Sequence, residues 1–477
     1  MLLNLLTSII SLIIYYLSYK NYKEENYKSA IFYIILGGAI LRIYTSLDLF
    51  IHPWDERYHA LVAKNLIKHP LIPTLYDNPI LPYNYTNWTA NHIWLHKLPI
   101  PLLTIALSLY LFGINEIAIR IPSILFSTLG IYLTFYIARY ITNNNKISYL
   151  SAFLFSINGL IIELTAGRVA TDHIDISFMF FIELSIFLII KFLETKKDIY
   201  NLLSGISLGF AILSKWLPAL IVVPIYLLLA LDSKKFTKSE IFKSFFVFFI
   251  FFSILPTLWH LYIFLKFPLE AKDCYMHNIR HFTEKLDNLG SGPFYYIKKI
   301  RVNYGELIYL PLFYFTFNKQ NYYNMKNIIL LIWFWIPTIF FSLSKTQMQG
   351  YILFTSPALF LITAIFYYYV KYKYKNLFVK VILILLILLP VRYSLERTKI
   401  LKKTNRNPEW AVKLKSFKGC KDNNDIIFNY PYPIEAMFYT ECSAYPEIPS
   451  NQIIEELKKD KRKIFIYSNG EFIKINN

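Results

Sequence analysis

The sequence predicts an all-α polytopic membrane protein closed by a small C-terminal α/β domain. Three observations predict it. Of 477 residues, 55% are hydrophobic and only 17% charged, whereas soluble domains carry roughly 25% charged residues. Apolar runs, each close to the roughly 20 residues that a helix needs to cross a bilayer, recur from the first residues to Pro390. After Pro390 the hydropathy falls and short β-like and helix-like runs alternate. The net charge of +19 does not point to nucleic acid. Its lysines sit in short loops between apolar runs, which is how membrane topology uses charge, and no basic-aromatic module accompanies them.

Residues 2–19 read as a first span rather than a cleavable signal, because no positive segment precedes them and no small-residue cleavage site follows. Further spans are expected at 31–51, 117–138, 147–167, 173–190, 199–213, 217–231, 244–265, 304–317, 327–343, 351–370 and 376–393. The Pro-rich run 98–113 is ambiguous, since a crossing there would move every later loop to the other side. Charge decides. Without that crossing, one side collects Lys20, Lys23 and Lys28, then Arg139 and Lys146, then Lys191, Lys196 and Lys197. The same side receives Lys234, Lys235, Lys238 and Lys243, then Lys319 and Lys326, then Lys371, Lys373 and Lys375. The opposite short turns hold one cation each: Arg168, Lys215 and Lys345. By the positive-inside rule the rich side is cytoplasmic, and 98–113 lies along or re-enters the outer face.

This topology sends the isolated polar groups outward: Asp55, Glu56, Lys97, Arg168, Asp172, Asp175, Lys215, the 277–281 cluster, and Lys345 with Tyr351. A channel would spread such groups along its helices as rings. A secondary transporter would gather them near the midplane of repeated halves, and no internal repeat is evident. Charges at one membrane face point to an enzyme working on a lipid headgroup. Residues 1–393 form the expected transmembrane domain, with 52–116 its first outer loop. Residues 394–477 form the outer α/β domain, with strands near Ile426–Asn429 and Lys463–Tyr467 and helices near Ile434–Thr440 and Gln452–Lys459. Alone, roughly 80 residues make a marginal core. Cys420 and Cys442 share this segment, so one bridge is allowed but not demanded.

The first outer loop opens on WDERYHA, residues 54–60. A carboxylate beside a site of group transfer can take the proton of an attacking hydroxyl. Adjacent carboxylates point apart, so only one of Asp55 and Glu56 can be that base; a plain helix cap is the other reading. In HKLPIP, residues 96–101, Lys97 is a fixed cation suited to phosphate, or a snorkelling anchor. Arg168 and Asp172 are four apart and share a face if their turn opens a helix; for Asp175 a structural ion pair is favoured. Lys215 and Lys345 are lone outer cations. His277, Arg280 and His281 share one helical face, as do His92 and His96. Without a tight His/Glu signature, no metal site is assigned and no cofactor is called for, although a divalent metal stays open. Asn84-Tyr-Thr and Asn87-Trp-Thr are formal glycosylation acceptors, meaningful only in a secretory pathway.

The ordered set of these motifs resembles the C-type glycosyltransferases that use polyprenyl-phosphate sugars, the superfamily of protein O-mannosyltransferases and lipid A aminoarabinose transferases. The likeness rests on Asp55-Glu56 after an early span, Lys97 to Pro101 leading into LFGINEIAIRIPSIL (111–125), Arg168…Asp172, Ser214-Lys215, and Ser344-Lys345…Tyr351…Pro357. His96 departs from the family, which often has an acid before the lysine. The resemblance implies a single displacement with inversion at the anomeric carbon. It makes Asp55 the base with Glu56 assisting, and Lys97, Arg168, Lys215, Arg280, Lys345 and Tyr351 the holders of the donor phosphate. Arg57, Tyr58, Asp172 and His277 would support them. The implied partners are a polyprenyl-phosphate sugar, membrane lipids, and a lipid, glycan or protein acceptor, at the outer face of the cytoplasmic membrane. A transporter or flippase of lipid-linked sugars is the rival reading; it would need the cations but no base.

Overall fold

The computed structural model describes residues 2–420, 424–460 and 462–475. Among these, eight helices are long and apolar enough to span a membrane: Leu2–Lys23, Tyr27–Thr45, Glu116–Thr142, Asp172–Thr195, Lys238–Lys266, Met325–Leu343, Gln349–Lys373 and Leu377–Thr398. A ninth arises if Asn145–Ser156 and Gly159–Thr165, bent by 49° at Asn158, count as one broken span. Asp198–Lys215, Leu217–Ser233 and Glu306–Phe317 supply the remaining apolar runs as shorter helices. Each of the twelve expected runs therefore contains a helix. The run 98–113 becomes Pro99–Phe112, whose 14 residues reach only about 21 Å at 1.5 Å per residue. That is short of the ~30 Å hydrocarbon core.

The chain divides into two compact units. The first holds the residues up to Ser46, Ser123–Leu265 and Tyr275–Thr404. Its centre is the pair Asp172–Thr195 and Gln349–Lys373, both almost wholly buried, while Leu2–Lys23, Lys238–Lys266 and Leu377–Thr398 lie outside them and expose most of their surface. Arg42 donates to Ser127 Oγ at 2.9 Å and to the Gly38 and Ser156 carbonyls at 3.0 Å.

The second unit joins Leu47–Pro122, Lys266–Cys274 and the chain from Asn405 onward. Its sheet runs β2-β1-β3-β4, with β1 Ile426–Phe428, β2 Ser443–Ala444, β3 Ile464–Ser468 and β4 Glu471–Ile475. β2 and β3 flank β1 in parallel and β4 returns antiparallel. Asn469 and Gly470 both have positive φ, as a tight two-residue hairpin requires. With helices Pro433–Tyr439 and Asn451–Lys459, β1 and β3 lie within a residue or two of the runs read from sequence, whereas β2 and β4 were not among them.

The expected boundary at residue 393 is not where the units part. The C-terminal segment shares one apolar core with the Leu47–Pro122 segment, in which Leu61, Trp94, Leu102, Ile427 and Phe438 are all buried. The physical reason is size, because a lone core of about 80 residues buries too little surface. Polar ties reinforce the shared core. Lys64 Nζ donates to the carbonyls of Met437, Phe438 and Thr440 at 2.9, 3.1 and 3.0 Å, where the Pro433–Tyr439 helix ends with unsatisfied acceptors. Tyr76 donates to the Ala444 carbonyl at 2.9 Å. Cys420 and Cys442 form a disulfide with Cα atoms 5.5 Å apart.

Candidate functional site

In the second unit, Asp55 is the first residue of the helix Asp55–Lys68. Before it, Trp54 holds a positive φ of 74°, a conformation that costs a bulky residue of order 1–3 kcal/mol and collects at functional sites. Lys97 Nζ lies 3.9 Å from Asp55 Oδ2, and both side chains keep some access to solvent. Lys97 is fixed by the prolines after it, since Pro99 starts the next helix at a position that suits its locked φ.

Glu56 is different. It is fully buried and its carboxylate is consumed by structure. Arg120 Nε donates to Oε1 at 2.7 Å and Arg120 Nη2 to Oε2 at 3.0 Å. The backbone N–H of His52 donates to the same Oε2, and His52 Nδ1 lies 2.7 Å from it. Arg120 also binds the Asp48 and Phe50 carbonyls, and Asp48 in turn holds His52 Nε2 at 3.2 Å and Arg406 Nη1 at 2.9 Å. This network fixes the chain that delivers Asp55. Glu56, expected to assist Asp55, is thus held at both carboxylate oxygens by Arg120 and His52.

Arg57 pairs with Glu435 at 3.2 Å and stands 4.9 Å from the Tyr58 ring centre. Tyr58 is buried against Trp88 and Trp94, with ring centres 5.1 and 6.4 Å away. His96 stacks on Trp88 at 4.3 Å, with 7° between the planes. Tyr439 donates to Glu116 Oε1 at 2.6 Å. Burial, and then the Glu116 carboxylate, hold this phenol far above its ordinary pKa. His92 Nδ1 donates to the Tyr76 carbonyl at 2.6 Å. Among the described residues no group of three His, Cys, Asp or Glu side chains is placed to hold a metal.

The first unit carries the other predicted residues. Lys215 ends the helix Asp198–Lys215, where the dipole favours a cation. It is ion-paired with Asp175 and sits 4.4 Å from the Tyr351 ring centre. Thr171 donates to the same Asp175 carboxylate. Gly350 permits the approach: a Cβ there would lie 2.6 Å from Thr171 Oγ1 and press on Asp175 as well. Asp172 opens the helix Asp172–Thr195 and accepts from the His173 amide. Arg168 reaches the Arg397 and Thr398 carbonyls at 3.5 and 3.4 Å. Arg280 is exposed and pairs with Glu284 at 2.9 Å, a local pair of small energetic weight. His277 lies 5.0 Å from the His281 ring. Lys345 is exposed, on a loop tied to 281–284 through Ser344 and Thr346. Thr171 and Trp216, beside Asp172 and Lys215, repeat the positive φ of Trp54.

Sequence reasoning did not single out Arg120, His52 and Asp48, or the Arg397–Glu163 pair with Asn303 bound to Arg397 at 3.0 Å. Arg120 had a visible signal, as the one cation inside the run 111–125.

A polytopic helical bundle, with the Asp55–Lys97 pair at the start of the Asp55–Lys68 helix, fits the fold expected from the sequence. The comparisons with known proteins point the same way. Residues 96–260 match the family model described as dolichyl-phosphate-mannose-protein mannosyltransferase. An uncharacterized protein of Aquifex aeolicus is 28% identical over 65% of this chain and 58% of its own. An undecaprenyl phosphate-alpha-4-amino-4-deoxy-L-arabinose arabinosyl transferase of Pseudomonas fluorescens is 25% identical over 56% of this chain and 48% of its own. The chain thus spans about half the length of these relatives. In fold, it is similar to ArnT from Cupriavidus metallidurans bound to undecaprenyl phosphate, with TM-score 0.64 and 9% identity over 94% of this chain and 93% of that one. It is also similar to the archaeal oligosaccharyltransferase AglB from Archaeoglobus fulgidus in complex with an inhibitory peptide and a dolichol-phosphate. There the TM-score is 0.55 and the identity 12%, over 91% of this chain and 69% of that one.

Proposed function

We propose that the chain is a glycosyltransferase that moves a sugar from a polyprenyl-phosphate donor to an acceptor hydroxyl, with inversion, at the extracytoplasmic face of the cytoplasmic membrane. The observation that carries this reading is the placement of an acid beside a cation: Asp55 and Lys97 stand 3.9 Å apart with both side chains partly open to solvent, next to Glu56, which is buried against Arg120. In the reaction, Asp55 takes the proton of the acceptor hydroxyl as its oxygen bonds to the anomeric carbon. The bond from that carbon to the phosphate oxygen breaks on the opposite side. The departing phosphate gains negative charge, which Lys97 meets by exchanging its contact with Asp55 for one with phosphate. A preorganised cation at such a position is usually a large term in catalysis.

The donor-phosphate roles of Arg168, Lys215, Arg280, Lys345 and Tyr351 belong to the same proposal. Lys345, exposed and without an ion-pair partner among the described residues, is the first to test. The outer placement of 47–122 and of the C-terminal segment draws support from the distribution of lysines and from the Cys420–Cys442 disulfide, which suits an oxidising compartment. The sugar is to be tested as hexose or pentose, and the acceptor as lipid, glycan or protein. The experiment is transfer of radiolabelled sugar from undecaprenyl- and dolichyl-phosphate donors by membranes carrying wild type or Lys97→Gln. Loss of transfer in the variant supports the reading, and wild-type transfer in it removes Lys97 from the chemistry.

A further inference from the structure

The first unit contains a cavity of about 700 Å³ that the proposed chemistry does not use. It lies between the helices Leu2–Lys23, Asn145–Ser156, Ser356–Lys373 and Leu377–Thr398. Its volume falls in the range of small-molecule sites, roughly 300–1,000 Å³. Seven of its fourteen lining residues are tyrosines and three are lysines. All three lysines, Lys23, Lys146 and Lys371, come from the loops that the positive-inside rule makes cytoplasmic.

The lining is graded. Lys23 ends its helix and Lys146 lies in the first turn of its own, so both stand at the rim. Tyr15 lies eight residues before Lys23, about 12 Å deeper at 1.5 Å per residue. Phe153, Leu150 and Ile387 line the inner, apolar part. Glu25 is the lining carboxylate, and it is spent on Lys146 at 3.2 Å. Lys23 and Lys371 have no carboxylate partner among the described residues; each stands near tyrosine rings, 5.9 Å from Tyr19 and 5.6 Å from Tyr368. Some phenols tie the walls together, as Tyr22 does with Tyr368 at 2.7 Å, and Tyr22 stacks on Tyr149 at 4.4 Å. The hydroxyls of Tyr19, Tyr367 and Tyr372 have no hydrogen-bond partner among the described residues, which leaves them available as donors.

We infer that this cavity binds the headgroup of an anionic phospholipid from the cytoplasmic leaflet. Uncompensated ammonium groups at the rim meet the phosphodiester, phenol hydroxyls donate to its ester and glycerol oxygens, and the apolar end takes the first carbons of an acyl chain. Tyrosine and lysine are the side chains that suit this depth of a bilayer, and the anionic cytoplasmic leaflet supplies the ligand. The inference rests on the proposed sidedness but not on the transferase chemistry.

The test is native mass spectrometry of the purified full chain in detergent, with phosphatidylglycerol, phosphatidylcholine or inorganic phosphate as the added probe. Wild type should retain phosphatidylglycerol in preference to phosphatidylcholine. Lys23→Gln and Lys371→Gln should each weaken that retention by about fivefold, while Lys28→Gln and Lys375→Gln, on the same face but outside the cavity, leave it unchanged. All four substitutions lie on exposed residues, so the fold should survive, and basal sugar transfer should persist. Equal retention of both lipids, equal losses in all four variants, or displacement of the lipid by millimolar phosphate would each overturn the inference. Absence of sugar transfer by wild type would count against the transferase reading alone.

Discussion

Arg120 grips Glu56 through both carboxylate oxygens, at 2.7 and 3.0 Å, and neither side chain is exposed to solvent. A bidentate guanidinium–carboxylate pair gives direction as well as energy. Here it fixes the second residue of the Asp55–Lys68 helix, and so the helix start that carries Asp55. Removing one member of a buried pair strands the other charge and costs about 3–5 kcal/mol. Glu56→Gln and Arg120→Met should therefore lower both the unfolding temperature in detergent and the activity. Thermal melts of either variant that match wild type would contradict this.

Lys97 should behave as a cation that acts on the phosphate rather than as a strut. Lys97→Gln should reduce transfer about 100-fold or more, in line with loss of a preorganised charge at the reacting group. Lys97→Arg keeps the charge but not the shape of a point cation, so partial activity is expected. Both variants should melt like wild type. The measurement is a donor titration that separates kcat from KM, alongside a melt.

Much of the fold was legible because apolar length is a strong signal, and all twelve runs from 2–19 to 376–393 contain helices. Of the C-terminal strands, Ile426–Phe428 and Ile464–Ser468 could be read from their apolar runs, while Ser443–Ala444 is too short and Glu471–Ile475 too polar to stand out. What sequence could not give was partnership. Nothing local says that the segment beyond Asn405 shares a core with Leu61 and Trp94, because such contacts join residues more than three hundred positions apart. The same limit hid Arg120, whose partner Glu56 is 64 residues away. Adjacent acids looked equivalent in sequence, and only burial separated Glu56 from Asp55. At Asp175 the sequence did carry the answer, a structural ion pair, although its partner Lys215 could not be named.

Lys64 is buried and spends its three N–H donors on three carbonyls beside the end of the Pro433–Tyr439 helix. Lys64→Met would leave those acceptors unsatisfied, at roughly 1–3 kcal/mol for a buried polar group. The loss should concentrate in the C-terminal segment. Limited proteolysis is the direct readout: cleavage beyond residue 405 should speed up while the long apolar helices stay protected.

The Cys420–Cys442 bridge closes a loop across 22 positions. On the chain-entropy account, a loop of this length contributes about 3 kcal/mol. Cys442→Ser, or reduction of the wild type, should lower the unfolding temperature of the C-terminal segment. A free-thiol count on the unreduced protein should find Cys274 alone among the three cysteines.

The most direct measurement is sugar transfer from a polyprenyl-phosphate donor by wild type and by Asp55→Asn, at equal abundance in membranes and with matching thermal melts. A base that takes the acceptor proton contributes about 100- to 10,000-fold, so the variant should fall by that factor while still binding the donor. Asp55→Asn turning over at the wild-type rate would contradict the assignment, and movement of intact lipid-linked sugar across the membrane without transfer would favour a flippase.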